Sequence, residues 1–426
     1  MLNLCVFFFV LLTISTVELK SAVGSDNKYC VELSRAVEDF CSYDIVQREC
    51  PRTCKDGISP NLRCGKNLHS RKFKNLRTDV SQLVLKYIMY ISGKKNGRAL
   101  LKALRKTSSW FKQFLTEGTK EEINVSKQPD SSATQGTKRV VHGKKSEQGE
   151  WPWHAKLRNY PNDSTPYPGR NWCEATILTE NFVLTAAHCF QEYLAFVIGH
   201  KNYTAKHLKV VVGDYDSKKR EEFETEIQVA ELYHNPSYKQ ENHLKSYYNG
   251  MWSTIIHDIT LVKLSTPIKL EDKNKEQVCI PKSDEHEKWK NAVCFSYGRG
   301  YTENSTSSRY LKEVQLPLVP LETCNGPRAY NNTVTDQNIC AGFFNRGKTT
   351  CNDDAGASLV CKKMGEDPRW YQLGIVSSGK YWDINKKTPS GSFEHIPCNQ
   401  YTGDYGLYTN VVKNIDWILK TVFESE

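Results

Sequence analysis

Leu184-Thr185-Ala186-Ala187-His188-Cys189 follows directly on a short run of bulky residues, Phe182 to Leu184, and delivers a histidine and a cysteine just after it. Branched and aromatic side chains in so short a run fit a strand better than a helix. Similar runs recur outward from it: Leu208-Lys209-Val210-Val211-Val212, Ile259-Thr260-Leu261-Val262-Lys263-Leu264 and Gly374-Ile375-Val376, separated by turn residues. Short strands at such spacing predict an all-β barrel or sandwich. One helix is expected near the end of the chain, around Val412 to Val422, with Ile415, Ile418 and Leu419 on one face.

The histidine segment resembles the histidine motif of the trypsin/chymotrypsin family of serine proteases. His257-Asp258-Ile259-Thr260-Leu261-Val262-Lys263-Leu264 resembles that family's aspartate motif, and Val140-Val141-His142-Gly143 with Trp151-Pro152-Trp153 resembles its mature N-terminus. Cys294-Phe295-Ser296-Tyr297-Gly298-Arg299-Gly300, Ile339-Cys340-Ala341-Gly342 and Tyr408-Thr409-Asn410-Val411 resemble later landmarks, all in family order over residues 140–426. The resemblance implies a double six-stranded β-barrel with a C-terminal helix and an active site between the barrels. It also implies the family's chemistry: a serine hydroxyl attacks, a histidine takes its proton, and a buried aspartate holds the histidine. His188 and Asp258 fall on the last two roles.

The first role is vacant. The family's serine motif reads Cys-x-Gly-Asp-Ser-Gly-Gly-Pro-Leu-x-Cys, and here the segment is Cys351-Asn352-Asp353-Asp354-Ala355-Gly356-Ala357-Ser358-Leu359-Val360-Cys361. The two cysteines keep the family's interval and fix the register. Ala355 stands at the nucleophile position without a hydroxyl. Asp353 replaces the glycine whose N–H helps form the oxyanion hole, and a carboxylate there opposes the charge that site must stabilise. Ala357 and Ser358 depart as well, and Ser358 is three residues from the nucleophile position. No competent catalytic serine remains.

Other parts of the resemblance survive. Lys138-Arg139 precedes Val140 as in a zymogen, and the family's freed N-terminus pairs with the aspartate that falls on Asp354. Two readings of this switch stand, one in which it is used and one in which it is only inherited. The specificity pocket falls on Thr349, Ser377, Gly379 and Gly406; Thr349 carries no charge, so no Arg or Lys preference is implied, and Ser378 replaces a pocket tryptophan. Residues 234–257 and 379–398 are expanded and rich in aromatic residues. They read either as binding surface or as self-packed loops. Family pairing implies disulfides Cys173–Cys189, Cys294–Cys361, Cys324–Cys340 and Cys351–Cys398, which leaves Cys279 over.

The N-terminal part is of another kind. An apolar run, Leu4 to Leu12, followed by small and polar residues reads as a secretory signal over 1–24 and is too short to span a membrane. Cys5 leaves with it, and fourteen of the fifteen cysteines remain, which suits an oxidising compartment. Five sequons, at Asn124, Asn162, Asn202, Asn304 and Asn331, point the same way.

Residues 25–64 hold five cysteines in a stretch too small to build a core alone. Glu49-Cys50-Pro51-Arg52-Thr53-Cys54 resembles the end of a ShKT module, although the first cysteine of that pattern is absent and Cys64 lies further out than it allows. The resemblance implies Cys30–Cys50 and Cys41–Cys54, leaving Cys64. Two leftover cysteines, Cys64 and Cys279, are expected to pair with each other, the alternative being an intermolecular bond. Many members of the protease family tether a propeptide at the position of Cys279.

Residues 65–139 contain no cysteine and carry seventeen Lys or Arg against five Asp or Glu, more than the whole chain's net charge of +10. Val80, Leu83, Val84, Tyr87, Ile88 and Ile91, then Leu101, Leu104, Phe111 and Leu115, predict two amphipathic helices within a basic segment, 65–123. Such a pair is either a solvated hairpin or, over 66–112, a site for an anionic glycan. The polar stretch 124–139 reads as a linker ending in the activation site.

The expectation from sequence is a secreted, extracellular serine protease homologue that is not an enzyme. It would act as a cofactor, decoy or competitor toward extracellular proteins such as active proteases or their substrates. The rival expectations are a weak or atypical endopeptidase and a glycan-binding adhesive protein. Nothing in the sequence calls for a cofactor, a metal, a nucleic acid or a membrane span.

Overall fold

A computed structural model describes residues 26–54, 62–66, 143–160, 170–190, 205–245, 250–270, 274–300, 308–327, 329–343, 350, 354–363, 367–387, 393–395 and 405–425. The expected signal, the basic helical segment beyond residue 66 and the linker lie outside these residues. Among the described residues, no helix is long and apolar enough to cross a membrane.

The first half of the body is a closed antiparallel barrel. Its strands are β2 (His154–Asn159), β3 (Arg170–Ile177), β4 (Phe182–Thr185), β5 (Leu208–Val212), β6 (Thr225–His234) and β9 (Thr260–Leu264), in the order β2-β3-β4-β9-β6-β5. Closure leaves no strand edge unpaired. Leu157, Ile177, Leu184, Val210, Val212 and Leu261 are wholly buried.

The second half is an eight-stranded antiparallel order, β1-β11-β10-β14-β15-β18-β13-β12. It comprises β1 (Lys144–Lys145), β10 (Val293–Gly298), β11 (Lys312–Gln315), β12 (Leu318–Val319), β13 (Asn338–Ala341), β14 (Ser358–Lys362), β15 (Tyr371–Ser378) and β18 (Gly406–Asn410). Only Leu316 and Pro317 separate β11 from β12, yet these two pair with β10 and β13 near opposite ends of the order. The sheet therefore curls onto itself as a second barrel. Pro317 supplies the break, because it has no N–H to donate to a ladder.

Trp151 joins the halves. Its ring stacks on Tyr297 at 5.2 Å and meets Trp370 edge-on at 5.2 Å, and its Nε1 donates to Glu313 at 3.0 Å. The C-terminal helix runs from Ile415 to Glu424 and buries Ile418, Leu419 and Val422, the i, i+1, i+4 face. It begins three residues later than the apolar pattern indicates, because Val412–Asn414 form a turn of 3₁₀ helix first. Asn414 Oδ1 ties this end to the first barrel, accepting from Asn235 Nδ2 at 3.0 Å and lying 2.9 Å from His257 Nδ1.

The two expanded segments do not form separate loops. They build a third sheet, β17-β16-β8-β7, from β7 (Lys239–Lys245), β8 (Gly250–Ile256), β16 (Lys380–Lys387) and β17 (Phe393–His395). The branched run Thr254-Ile255-Ile256 suits a strand.

At the N-terminal side, helices Cys30–Ala36 and Asp44–Glu49 are stapled by Cys30–Cys50 and Cys41–Cys54. Cys64 is bonded to Cys279, with Cα atoms 5.0 Å apart. Cys173–Cys189, Cys294–Cys361 and Cys324–Cys340 cross-link the barrels internally. Cys351 and Cys398 lie outside the described residues.

Candidate functional site

The three motif positions come from three places in the chain. His188 follows β4, Asp258 precedes β9, and Ala355 lies in the turn that leads into β14. Pairing of β4 with β9 sets Thr185 opposite Thr260 and so brings the histidine and aspartate loops side by side. His188 Nδ1 lies 2.7 Å from Asp258 Oδ2, and the His188 amide donates to Oδ1 at 2.8 Å. Ser377 Oγ donates to Oδ2 at 2.5 Å, and Thr409 Oγ1 donates to the Asp258 carbonyl at 2.9 Å. Burial pushes the Asp258 carboxyl up, but the His188 ring, the Ser377 hydroxyl and the His188 amide outweigh it and hold the group below the usual aspartate value. A histidine held this way keeps Nδ1 as the donor and leaves Nε2 as the base.

Ala355, at the position where the motif register puts the family's serine, carries only a methyl group. Its carbonyl accepts from the Glu174 amide at 2.9 Å, and the turn closes with Ala357 N donating to the Asp354 carbonyl at 3.0 Å. Gly356 sits at φ +84°, and a Cβ there would run into the Glu174 carbonyl and Thr185 Oγ1. Asp354 is buried, with Oδ1 accepting from the Gly300 amide at 2.8 Å. Ser358 is fully buried at the start of β14, its hydroxyl bonded to Thr176 Oγ1 and its carbonyl accepting from Ser296 Oγ at 3.0 Å.

The pocket residues are partly in view. Ser377, next to last in β15, touches Asp258, Gly406 opens β18, and among the described residues no atom lies within 4 Å of where a Cβ on Gly379 would stand. Ser378 Oγ donates to the Ser253 carbonyl at 2.9 Å and ties this strand to β8. Asn331 is exposed on a turn at φ +49°. Arg139, Val140, Thr349, Asp353, Asn124, Asn162, Asn202 and Asn304 lie outside the described residues.

Sequence reading missed a buried charged network behind the turn. Glu174 Oε2 lies 2.5 Å from His154 Nε2, and Oε1 accepts from the Arg299 amide at 3.0 Å. Arg299 Nη2 reaches the Asp214 carbonyl at 2.6 Å and Oδ1 at 2.7 Å, while Lys156 pairs with Asp214 Oδ2. Burial, with Arg299 and Arg158 nearby, drives the Lys156 ammonium down to about 6. The Glu174 and Glu224 carboxylates work against that shift. Asp214, Glu221 and Glu224 bring carboxylate oxygens within 4.8 Å of one another, a donor set that suits a hard cation. Arg299 already pairs with Asp214 Oδ1, and Lys156 lies against Oδ2. The available signal was Lys156 itself, a charge lodged between the apolar residues Ala155 and Leu157.

With this geometry on hand, comparison places the chain in a family: a family model described as Trypsin matches residues 140–418, and the protein belongs to the trypsin family. Among curated proteins it is similar to ovochymase of Halocynthia roretzi, with 28% identity over 291 residues, or 68% of this chain. The match spans 15% of the length of that ovochymase.

Proposed function

We propose that this protein is a secreted serine protease homologue that binds or regulates and does not cleave. One observation carries the reading. The His188–Asp258 pair is complete to its hydrogen bonds, while the position it would serve is the methyl group of Ala355. In related chemistry, loss of the serine costs on the order of 10⁶ in turnover, and the residue left comes from binding and the oxyanion hole. Asp353, where the family has glycine, weakens that remainder too. A retained cleft without a nucleophile still offers a shaped surface to a peptide. A decoy or cofactor toward active proteases or their substrates uses that surface without turnover.

Peptidase assays on protein cut after Arg139 test the reading. Wild type should be inactive, Ala355→Ser should recover little, and Ala355→Ser with Asp353→Gly should recover more. Near-normal turnover from the single reversion would overturn the role given to Asp353, and turnover by wild type would favour a weak or atypical endopeptidase instead.

A further inference from the structure

The cysteine-rich segment does more than hang from a disulfide. Residues 277–280 run between two partners. On one side, the Ile280 amide donates to the Ala36 carbonyl at 2.8 Å, the Glu38 amide donates to the Ile280 carbonyl at 2.9 Å, and the Gly65 amide donates to the Gln277 carbonyl at 2.8 Å. On the other, the Gln372 amide donates to the Cys279 carbonyl at 2.8 Å. Val37 and Ile280 form a parallel bridge. Gly65 is pinned twice, since the Trp370 amide also donates to its carbonyl at 3.0 Å. Its φ is +64°, and a Cβ would collide with the Trp370 backbone, so only glycine fits.

Side chains extend the join to three further places. The Tyr29 ring meets Phe182 of the first barrel edge-on at 5.1 Å. Asn181 Nδ2 donates to both oxygens of Glu32 at 3.1 and 3.2 Å. Asn27 Nδ2 donates to the Phe423 carbonyl in the C-terminal helix at 3.0 Å. Leu33, Ala36, Val37 and Phe40 are wholly buried. A segment of this size cannot bury so much by itself. Residues 26–66 and the body from 143 onward form one compact unit by contact.

We infer that residues 26–66 are a built-in part of the protease-like body, which stays bound after the chain is cut before Val140 even when Cys64–Cys279 is absent. The segment is thus not a releasable ligand, and any partner meets it and the barrels together. The inference is independent of the reading of Ala355.

The test uses the full chain with a specific protease site placed within 124–137, and Cys64→Ser with Cys279→Ser. After cutting, both chains are expected to co-elute in native gel filtration and to separate only in denaturant. Elution of the N-terminal chain by itself would overturn the inference. Should the double variant not fold, hydrogen exchange on uncut wild type decides the matter. The amides of Glu38, Gly65, Ile280 and Trp370 are expected to be protected to the level of those in β10 and β14, and fast exchange at these four would overturn it.

Discussion

His188 Nδ1 and Asp258 Oδ2 stand 2.7 Å apart in a chain that has Ala355 where the motif register puts the family's serine. The pair earns its place structurally. Asp258 is wholly buried and accepts from the His188 ring, the His188 amide and Ser377 Oγ, so it cross-links the histidine loop of one barrel to β15 of the other.

Removing that carboxylate should therefore cost stability. Asp258→Ala removes a buried carboxylate that accepts three hydrogen bonds and is expected to cost about 3–5 kcal/mol in denaturant unfolding. The native carboxyl is held below its unfolded value, so its contribution is present above the ordinary aspartate pKa and is lost as pH falls through the native one. A change under 1 kcal/mol on substitution would show that the pair is idle.

The turn carrying Ala355 has its own sensitive point. Gly356→Ala puts a methyl group against the Glu174 carbonyl at a positive φ. About 2 kcal/mol or more of destabilisation is expected by thermal or denaturant melting. Ala355→Ser adds a hydroxyl where the chain already has a Cβ and should change stability by less than about 1 kcal/mol.

Glu276 gives the opposite pH dependence to Asp258. Burial raises its carboxyl to about 7, with the Gln277 amide and Lys66 pulling back more weakly. The native state then holds a proton that the unfolded state has released, so stability is greatest below the unfolded glutamate pKa and falls as pH rises through 7. Glu276→Gln should remove that fall and raise stability at pH 8 by roughly 1–2 kcal/mol, allowing for partial exposure. An unchanged pH profile in melts from pH 5 to pH 8 would contradict the assignment.

Cleavage after Arg139 is the other lever. A new Val140 amine that pairs with Asp354 adds a buried charge partner beside Gly300, so cut protein should melt higher than uncut, and Asp354→Asn should erase the difference. Equal melting temperatures would mean that the switch is inherited and unused.

Much of this was legible because local patterns survive in the chain. Phe182–Thr185 and Leu208–Val212 are strands with the limits their branched residues indicate. With an odd cysteine count on each side of the linker, the pairings that the two resemblances imply leave Cys64 and Cys279, which the structure joins. The His154–Glu174–Arg299–Asp214–Lys156 network was not legible, since its members come from segments up to 145 residues apart in number and meet only through barrel closure and packing. The third sheet was missed for a related reason. Its two hairpins pair across more than a hundred residues, and nothing local in Lys380–Lys387 names Gly250–Ile256 as its neighbour.

The most direct measurement is covalent labelling by a fluorophosphonate probe of protein cut after Arg139, with an active trypsin-family protease labelled in parallel. The probe requires a serine made nucleophilic by its histidine. No labelling above the heat-denatured control is expected here, because Ala355 offers no oxygen and Ser358 is buried. Stoichiometric labelling of any serine in this chain would contradict the account.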